Sequence, residues 1–155
     1  MKKVMLIFAM IVAMSGFSSN LKAQDYRAGI GLSLGAPMGL DYKQFFSPRS
    51  AINATFGYTF QYNALTIGAV YQYHMPIVEN LNAYVGAGVN FGAMYMGDEY
   101  FYRGSEFLFG LTPNVGVEYK FAGVPIVLGL DYRPSVNFSV KSQWNQAALK
   151  VRYTF

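Results

Sequence analysis

Residues 52–61 read Ile-Asn-Ala-Thr-Phe-Gly-Tyr-Thr-Phe-Gln. Ile52, Ala54, Phe56, Tyr58 and Phe60 alternate with Asn53, Thr55, Gly57, Thr59 and Gln61. Successive side chains of a β-strand point to opposite faces, so this stretch carries one apolar face and one polar or small face. The same period of two recurs on both sides of it. It predicts eight strands: Tyr26–Gly35, Met38–Phe46, Ala51–Gln61, Leu65–His74, Asn82–Met94, Phe107–Phe121, Val124–Arg133 and Ala147–Phe155. Turn signals separate them at Ala36-Pro37, Ser47-Pro48-Arg49-Ser50, Met75-Pro76, Ala122-Gly123 and Arg133-Pro134.

Composition says which solvent the apolar faces meet. Aromatics make up 17% of the chain and charged residues only 13%, about half the usual charged share of a soluble domain. Beyond the N-terminal run there is no stretch of apolar residues long enough for a spanning helix. A closed barrel is the other structure that satisfies its own backbone inside lipid. Strands of ~10 residues suit a tilted bilayer crossing. The reading is therefore all-β, an eight-stranded antiparallel up-and-down transmembrane barrel.

The first residues are set apart from that fold. Lys2 and Lys3 precede an apolar run from Val4 to Met14 and small residues at Ser15, Gly16, Ser18 and Ser19. This pattern predicts a secretory signal peptide over 1–23, cleaved after Ala23, with the barrel domain over 24–155. The competing reading is an N-terminal membrane anchor, for which the run is short against the ~20 apolar residues a span needs. Without Lys2, Lys3 and Lys22, nine Lys and Arg face eight Asp and Glu, a net charge of about +1. The pI near 9.2 then gives no argument for nucleic acid. With no Cys in the chain, a disulfide scaffold and a thiolate metal site are excluded.

With the N-terminus inside the cell envelope, the turns 47–50, 75–81 and 122–123 face the periplasm. The connections 36–37, 62–64, 95–106 and 134–146 face outward. The two longest fall outside, as such barrels require. Aromatic girdles are expected at both interfaces. Tyr26, Phe46, Tyr73, Tyr119, Phe121, Tyr153 and Phe155 form the inner one; Tyr58, Phe60, Phe107, Phe109 and Tyr132 form the outer one.

The final strand alternates Ala147, Leu149, Val151, Tyr153 and Phe155. It resembles the C-terminal signal that outer-membrane barrels present to their assembly machinery. With phrases such as Tyr84-Val85-Gly86-Ala87-Gly88-Val89 and Gly116-Val117-Glu118-Tyr119-Lys120-Phe121, residues 26–155 resemble the OmpA/OmpX-like family of small outer-membrane barrels. The resemblance implies the fold, an outer-membrane location and assembly through Leu149, Val151, Tyr153 and Phe155. The family's functions are too varied to carry over.

One phrase occurs three times: Gly39-Leu40-Asp41-Tyr42-Lys43, Gly116-Val117-Glu118-Tyr119-Lys120 and Gly129-Leu130-Asp131-Tyr132-Arg133. Its Gly, acid and base share the inward face. Arg27, Lys150 and Arg152 have the same phase. The expected luminal network is thus Arg27, Asp41, Lys43, Glu118, Lys120, Asp131, Arg133, Lys150 and Arg152. The lumen of an eight-stranded barrel is just wide enough for side chains to fill. Unpaired charges there would be costly, so a salt-bridged plug is expected. The alternative is a narrow, anion-preferring pore, because six bases face three acids.

A lipid-modifying enzyme built on His74 with Ser47 or Ser50 and an acid is a third reading, but no motif links them. Asp98, Glu99 and Glu106 lack the spacing of a cation loop. No catalytic set, cofactor or metal is predicted. Exposed aromatics and Arg are typical binding hot spots. Tyr100, Phe101, Tyr102, Arg103 and Trp144 are therefore the candidate surface-binding residues, with Phe138 nearby. The expected protein is a monomer in outer-membrane lipid, with a structural or adhesive role and a surface protein or glycan as possible partner.

Overall fold

The computed structural model describes residues 26–60, 63–95, 105–138 and 142–155. Nine strands run in order: β1 (Ala28–Gly35), β2 (Met38–Phe45), β3 (Ser50–Thr59), β4 (Ala64–Val78), β5 (Leu81–Tyr95), β6 (Ser105–Lys120), β7 (Ile126–Tyr132), β8 (Val136–Asn137) and β9 (Ala147–Thr154). Neighbours pair antiparallel from β1 through β7. β9 then joins β7 to β1 and closes the sheet into an eight-stranded barrel. The two-residue β8 pairs with β6 at Leu111↔Val136 and Gly110↔Asn137. It keeps the register of Val115↔Tyr132, so β8 resumes the line of β7 after an interruption at Arg133-Pro134-Ser135. Pro134 has no N–H to give a ladder, which accounts for a break there.

Burial is the reverse of that in a soluble domain. Ile67 is 54% exposed and Leu130 58%, whereas Asp41, Lys43, Gln72 and His74 are 0% exposed. Apolar residues of one phase coat the outside, and polar residues of the other phase fill the inside. A barrel that meets hydrocarbon with its outer wall has this arrangement.

Three details differ from the sequence reading. The connection expected at 75–81 is only Glu79 and Asn80, with Asn80 at φ 67°. Met75-Pro76 is not a turn: both residues lie in β4, Pro76 pairs with Asn82, and the register shifts between Pro76 and Val78. A bulge tolerates a residue that cannot donate to the ladder. The third difference is Tyr26, expected in the inner girdle but buried in the lumen. The N–H groups of Arg27 and Ala28 both donate to the Phe155 carbonyl, at 3.3 and 3.0 Å. Two residues thus oppose one, which inverts the phase before β1 and turns Tyr26 inward and Arg27 outward. The remaining inner-girdle residues and Phe60, Phe107, Phe109 and Tyr132 are exposed on the outer wall.

Candidate functional site: a luminal chain of alternating charge

Seven of the nine predicted luminal charges meet in one continuous chain inside the barrel. They alternate in sign: Lys43, Glu118, Arg152, Asp41, Lys150, Asp131, Arg133. Lys43 Nζ lies 2.7 Å from Glu118 Oε2 and Arg152 Nη1 lies 3.2 Å from the same oxygen. Arg152 Nε bonds Asp41 Oδ2. Lys150 Nζ bridges the two aspartates, 2.8 Å from Asp41 Oδ1 and 2.9 Å from Asp131 Oδ2. Arg133 Nη2 completes the chain 3.0 Å from Asp131 Oδ2.

The strands explain why these groups meet. Asp41 and Lys43 come from β2, Glu118 from β6, Asp131 from β7, and Lys150 and Arg152 from β9. Gly31 on β1 stands between Asp41 and Arg152 in register, so no side chain of β1 separates that pair. Each acid holds two bases. The chain begins and ends on a base, with four bases to three acids.

Neutral groups complete the coordination. Tyr26 Oη donates to Glu118 Oε1 at 3.2 Å, and Tyr84 Oη to Asp131 Oδ1 at 3.0 Å. Asn53 and Thr55 donate to Asp41 Oδ1 at 3.0 and 3.1 Å, and Asn114 donates to Asp131. The Lys43 ammonium also sits 4.4 Å from the centre of the Tyr84 ring, within cation–π range. Charges taken out of water need such hydrogen bonds as well as opposite charge.

Arg27 is exposed and shares none of these ion pairs among the described residues. Lys120 is half-buried, and its Nζ lies 5.9 Å from the Tyr26 ring centre, at the barrel end that bears both termini. It too stands outside the chain, although its phase matches that of Glu118. Several luminal partners were not singled out from sequence: Tyr26, Asn53, Tyr84 and Asn114. Tyr84 had a signal. Its register partner is Gly116, where an added Cβ would meet the Tyr84 ring at 2.5 Å. A glycine in the inward phase thus marks a large side chain on the neighbouring strand.

His74 is buried between the Phe45 and Tyr84 rings, at 4.8 and 5.1 Å. Its Nδ1 is 3.4 Å from Glu118 Oε1 and its Nε2 is 3.4 Å from Lys43 Nζ. The serines considered with it are engaged elsewhere. Ser50 Oγ bonds Tyr71 Oη at 3.0 Å, and Ser47 Oγ accepts from the Ser50 N–H at 3.1 Å. His74 thus packs against the Lys43–Glu118 pair and has no serine hydroxyl to activate among the described residues.

Leu149, Val151, Tyr153 and Phe155 lie exposed on the outer wall. Trp144 is 62% exposed, and its carbonyl accepts from Tyr132 Oη at 2.7 Å. Tyr100, Phe101, Tyr102 and Arg103 of the candidate binding loop lie outside the described residues, as do the segment 1–23, Asp98 and Glu99.

The closed sheet and its inverted polarity define the fold of the small eight-stranded outer-membrane β-barrels. Solved structures share it. The N-terminal β-barrel domain of Pseudomonas aeruginosa OprF matches with a TM-score of 0.63 at 18% identity, covering 83% of this chain and 95% of that one. Neisserial surface protein A matches at 0.52 and 18%, covering 83% and 93%. The Yersinia pestis outer membrane protein Ail matches at 0.50 and 15%, covering 83% and 97%. No family model and no curated protein matches the chain.

One consequence of the chain is its graded response to substitution. Asp131→Ala leaves Lys150 with Asp41 and Arg133 with Thr55 and Asn53, but takes the carboxylate from Arg133, Tyr84 and Asn114. Breaking a buried pair costs about 3–5 kcal/mol, and the retained Asp41 contact places Asp131→Ala near the lower bound. Urea titration of the refolded protein in lipid vesicles measures it, with Trp144, the single Trp, as fluorescence probe.

Proposed function

We propose that this chain is an outer-membrane barrel with a structural or adhesive role, whose lumen is closed by the alternating-charge chain. The observation that carries this reading is the continuity of that chain: its side chains are at most 7% exposed and join the strands across the interior. Planar-bilayer recording of the refolded protein tests it, and no sustained unitary conductance is expected. Stable open steps with anion preference would replace this reading with the narrow pore, which the one-base excess of the chain favours.

The outer location is proposed on the 1–23 signal pattern, the barrel fold and the alternating C-terminal strand that would engage the assembly machinery. The protein acts as a monomer in lipid, without cofactor. For adhesion, we assign the contact to an aromatic ledge of Tyr100, Phe101, Tyr102 and Trp144 with Arg103, facing a surface protein or glycan. Replacing the four aromatics with Ser is expected to leave the heat-modifiable gel shift intact and to abolish attachment of expressing cells to host-matrix or glycan-coated surfaces. Wild-type attachment by the quadruple variant would remove the ledge from the proposal.

A further inference from the structure

Of the six prolines in the chain, two meet across one seam of the wall. Leu111 pairs with Val136 and Val115 with Tyr132, and the register between those pairs puts Pro113 of β6 opposite Pro134. The Phe138 N–H donates to the Phe109 carbonyl at 3.0 Å, and the Phe121 N–H to the Ile126 carbonyl at 3.1 Å. Odd-numbered residues of β6 therefore turn their main-chain groups toward this seam, and Pro113 and Pro134 point theirs at each other. Proline has no N–H. Both hydrogen bonds of the rung are missing, and its two carbonyls have no main-chain donor opposite. Inside a membrane such a gap is costly, and proline is otherwise confined to strand edges and bulges.

The surroundings of the gap indicate what it does. The segment around Pro134 is fastened on its other side. The Arg133 N–H donates to the Gln146 carbonyl at 2.8 Å, and Ser135 and Gln143 exchange backbone hydrogen bonds at 2.8 and 2.7 Å. At this rung the segment can therefore part from β6 without breaking a ladder bond. Outside, the rung lies between Tyr132 and the stacked rings of Phe109 and Phe138, 5.8 Å apart, all exposed on the outer wall. Pro113 is exposed there and Pro134 is buried, so the rung is shut in this structure. Inside, the chain neighbours of the two prolines, Thr112, Arg133 and Ser135, line a cavity of about 20 Å³. Pro37, Val70 and Leu108 make another part of its wall apolar, and the Thr112 hydroxyl already donates to Asn90 Oδ1 at 3.1 Å. Until the seam parts, the cavity holds a single water-sized group.

We infer that the Pro113–Pro134 rung is a lateral opening in the barrel wall, through which small uncharged lipophilic molecules pass between the bilayer and the luminal cavity. Hydrocarbon rejects charge, and the cavity offers an apolar wall rather than free donors, so both steps select neutral molecules. The path does not cross the charge chain. A lumen closed to ions along its axis therefore leaves this sideways route intact.

The chain has no Cys, so Thr112→Cys supplies a single thiol on the cavity side of the rung. The refolded mature variant is placed in phosphatidylcholine vesicles that contain N-hexadecylmaleimide, a thiol reagent held in the bilayer. Labelling of the folded, heat-modifiable form is followed by mass. Adding Pro113→Val and Pro134→Val restores the two missing donors. Two ladder bonds of ordinary net strength shrink the open population roughly tenfold or more, so labelling should slow by that factor. Hydrogen exchange on the unsubstituted chain gives a second reading that needs no variant, and it decides alone if Thr112→Cys does not fold. The Leu111, Val115, Tyr132 and Val136 amides beside the rung should exchange faster than those of Leu40, Phe56 and Ile67 in the unbroken β2–β3–β4 ladder. Equal labelling with and without the two prolines would overturn the opening, because the reagent would then arrive by another path. Equal protection of the two sets of amides would overturn it as well, as the result of a rung that stays shut.

Discussion

Glu118→Ala is expected to lower the unfolding free energy by about 3–5 kcal/mol, the penalty for leaving a buried charge without its partner. The upper bound applies because Lys43 pairs with no other acid among the described residues, whereas Arg133 freed by Asp131→Ala keeps Thr55 and Asn53. Lys43 and Arg152 pair with it, Tyr26 donates to it and His74 lies against it. In the alanine variant Lys43 keeps the Tyr84 and Phe45 rings and His74, while Arg152 keeps Asp41. Glu118→Gln retains the shape and one acceptor, and should fall between wild type and alanine. The urea midpoint read at Trp144 checks the order: wild type, Gln, Ala. Identical midpoints for all three would mean that water reaches this end of the lumen and screens the ion pairs.

Gly31→Val is expected to abolish the folded, heat-modifiable form altogether. Gly31 pairs with Asp41 on one side and Arg152 on the other, at the seam where the first and last strands join. A Cβ placed there would meet the Arg152 Cα at 2.7 Å and overlap the Val151 carbonyl. These are backbone atoms, so no rotamer change relieves the clash, and the cost exceeds the ~1–3 kcal/mol of ordinary overpacking. Gly129→Ala is the control. It has the same inward phase, but its Cβ would meet nothing closer than 3.6 Å, and the gel shift should be retained. Normal insertion of Gly31→Val would show that the β1–β9 seam can open by that much without loss of the barrel.

The sequence disclosed the strands well, and the reason is local. Alternation in Ile52–Thr59 or Ala147–Tyr153 needs no knowledge of the partner strand, since the pleat alone sets which face a residue takes. The charged residues of the lumen were legible for the same reason: the phase of Asp41, Glu118 and Asp131 put them inside. Their pairing was not. Which base meets which acid depends on the stagger between strands, and that is set by closure. Lys120 has the correct phase but sits past the end of the chain of charges. Tyr26 was misplaced because its orientation depends on the Phe155 carbonyl, supplied from the opposite terminus. Pro76 read as a stop because a proline commonly ends a strand, and the bulge that accommodates it is a property of the β4–β5 pair. His74 and Tyr84 lie on strands whose inward faces carry no acid or base of their own, so nothing local tied them to Glu118 or Asp131.

Both cations that bond Asp41, Lys150 and Arg152, belong to the last strand. Until β9 docks, Asp41 faces the nascent lumen with no counter-charge, and Glu118 holds only Lys43. An incomplete sheet of this chain therefore carries a naked carboxylate, which hydrocarbon rejects strongly. The strand that closes the ring also completes its neutralisation. A chain truncated before Ala147 is therefore expected to stay at the water side of the membrane, checked by its failure to give the heat-modifiable form in vesicles.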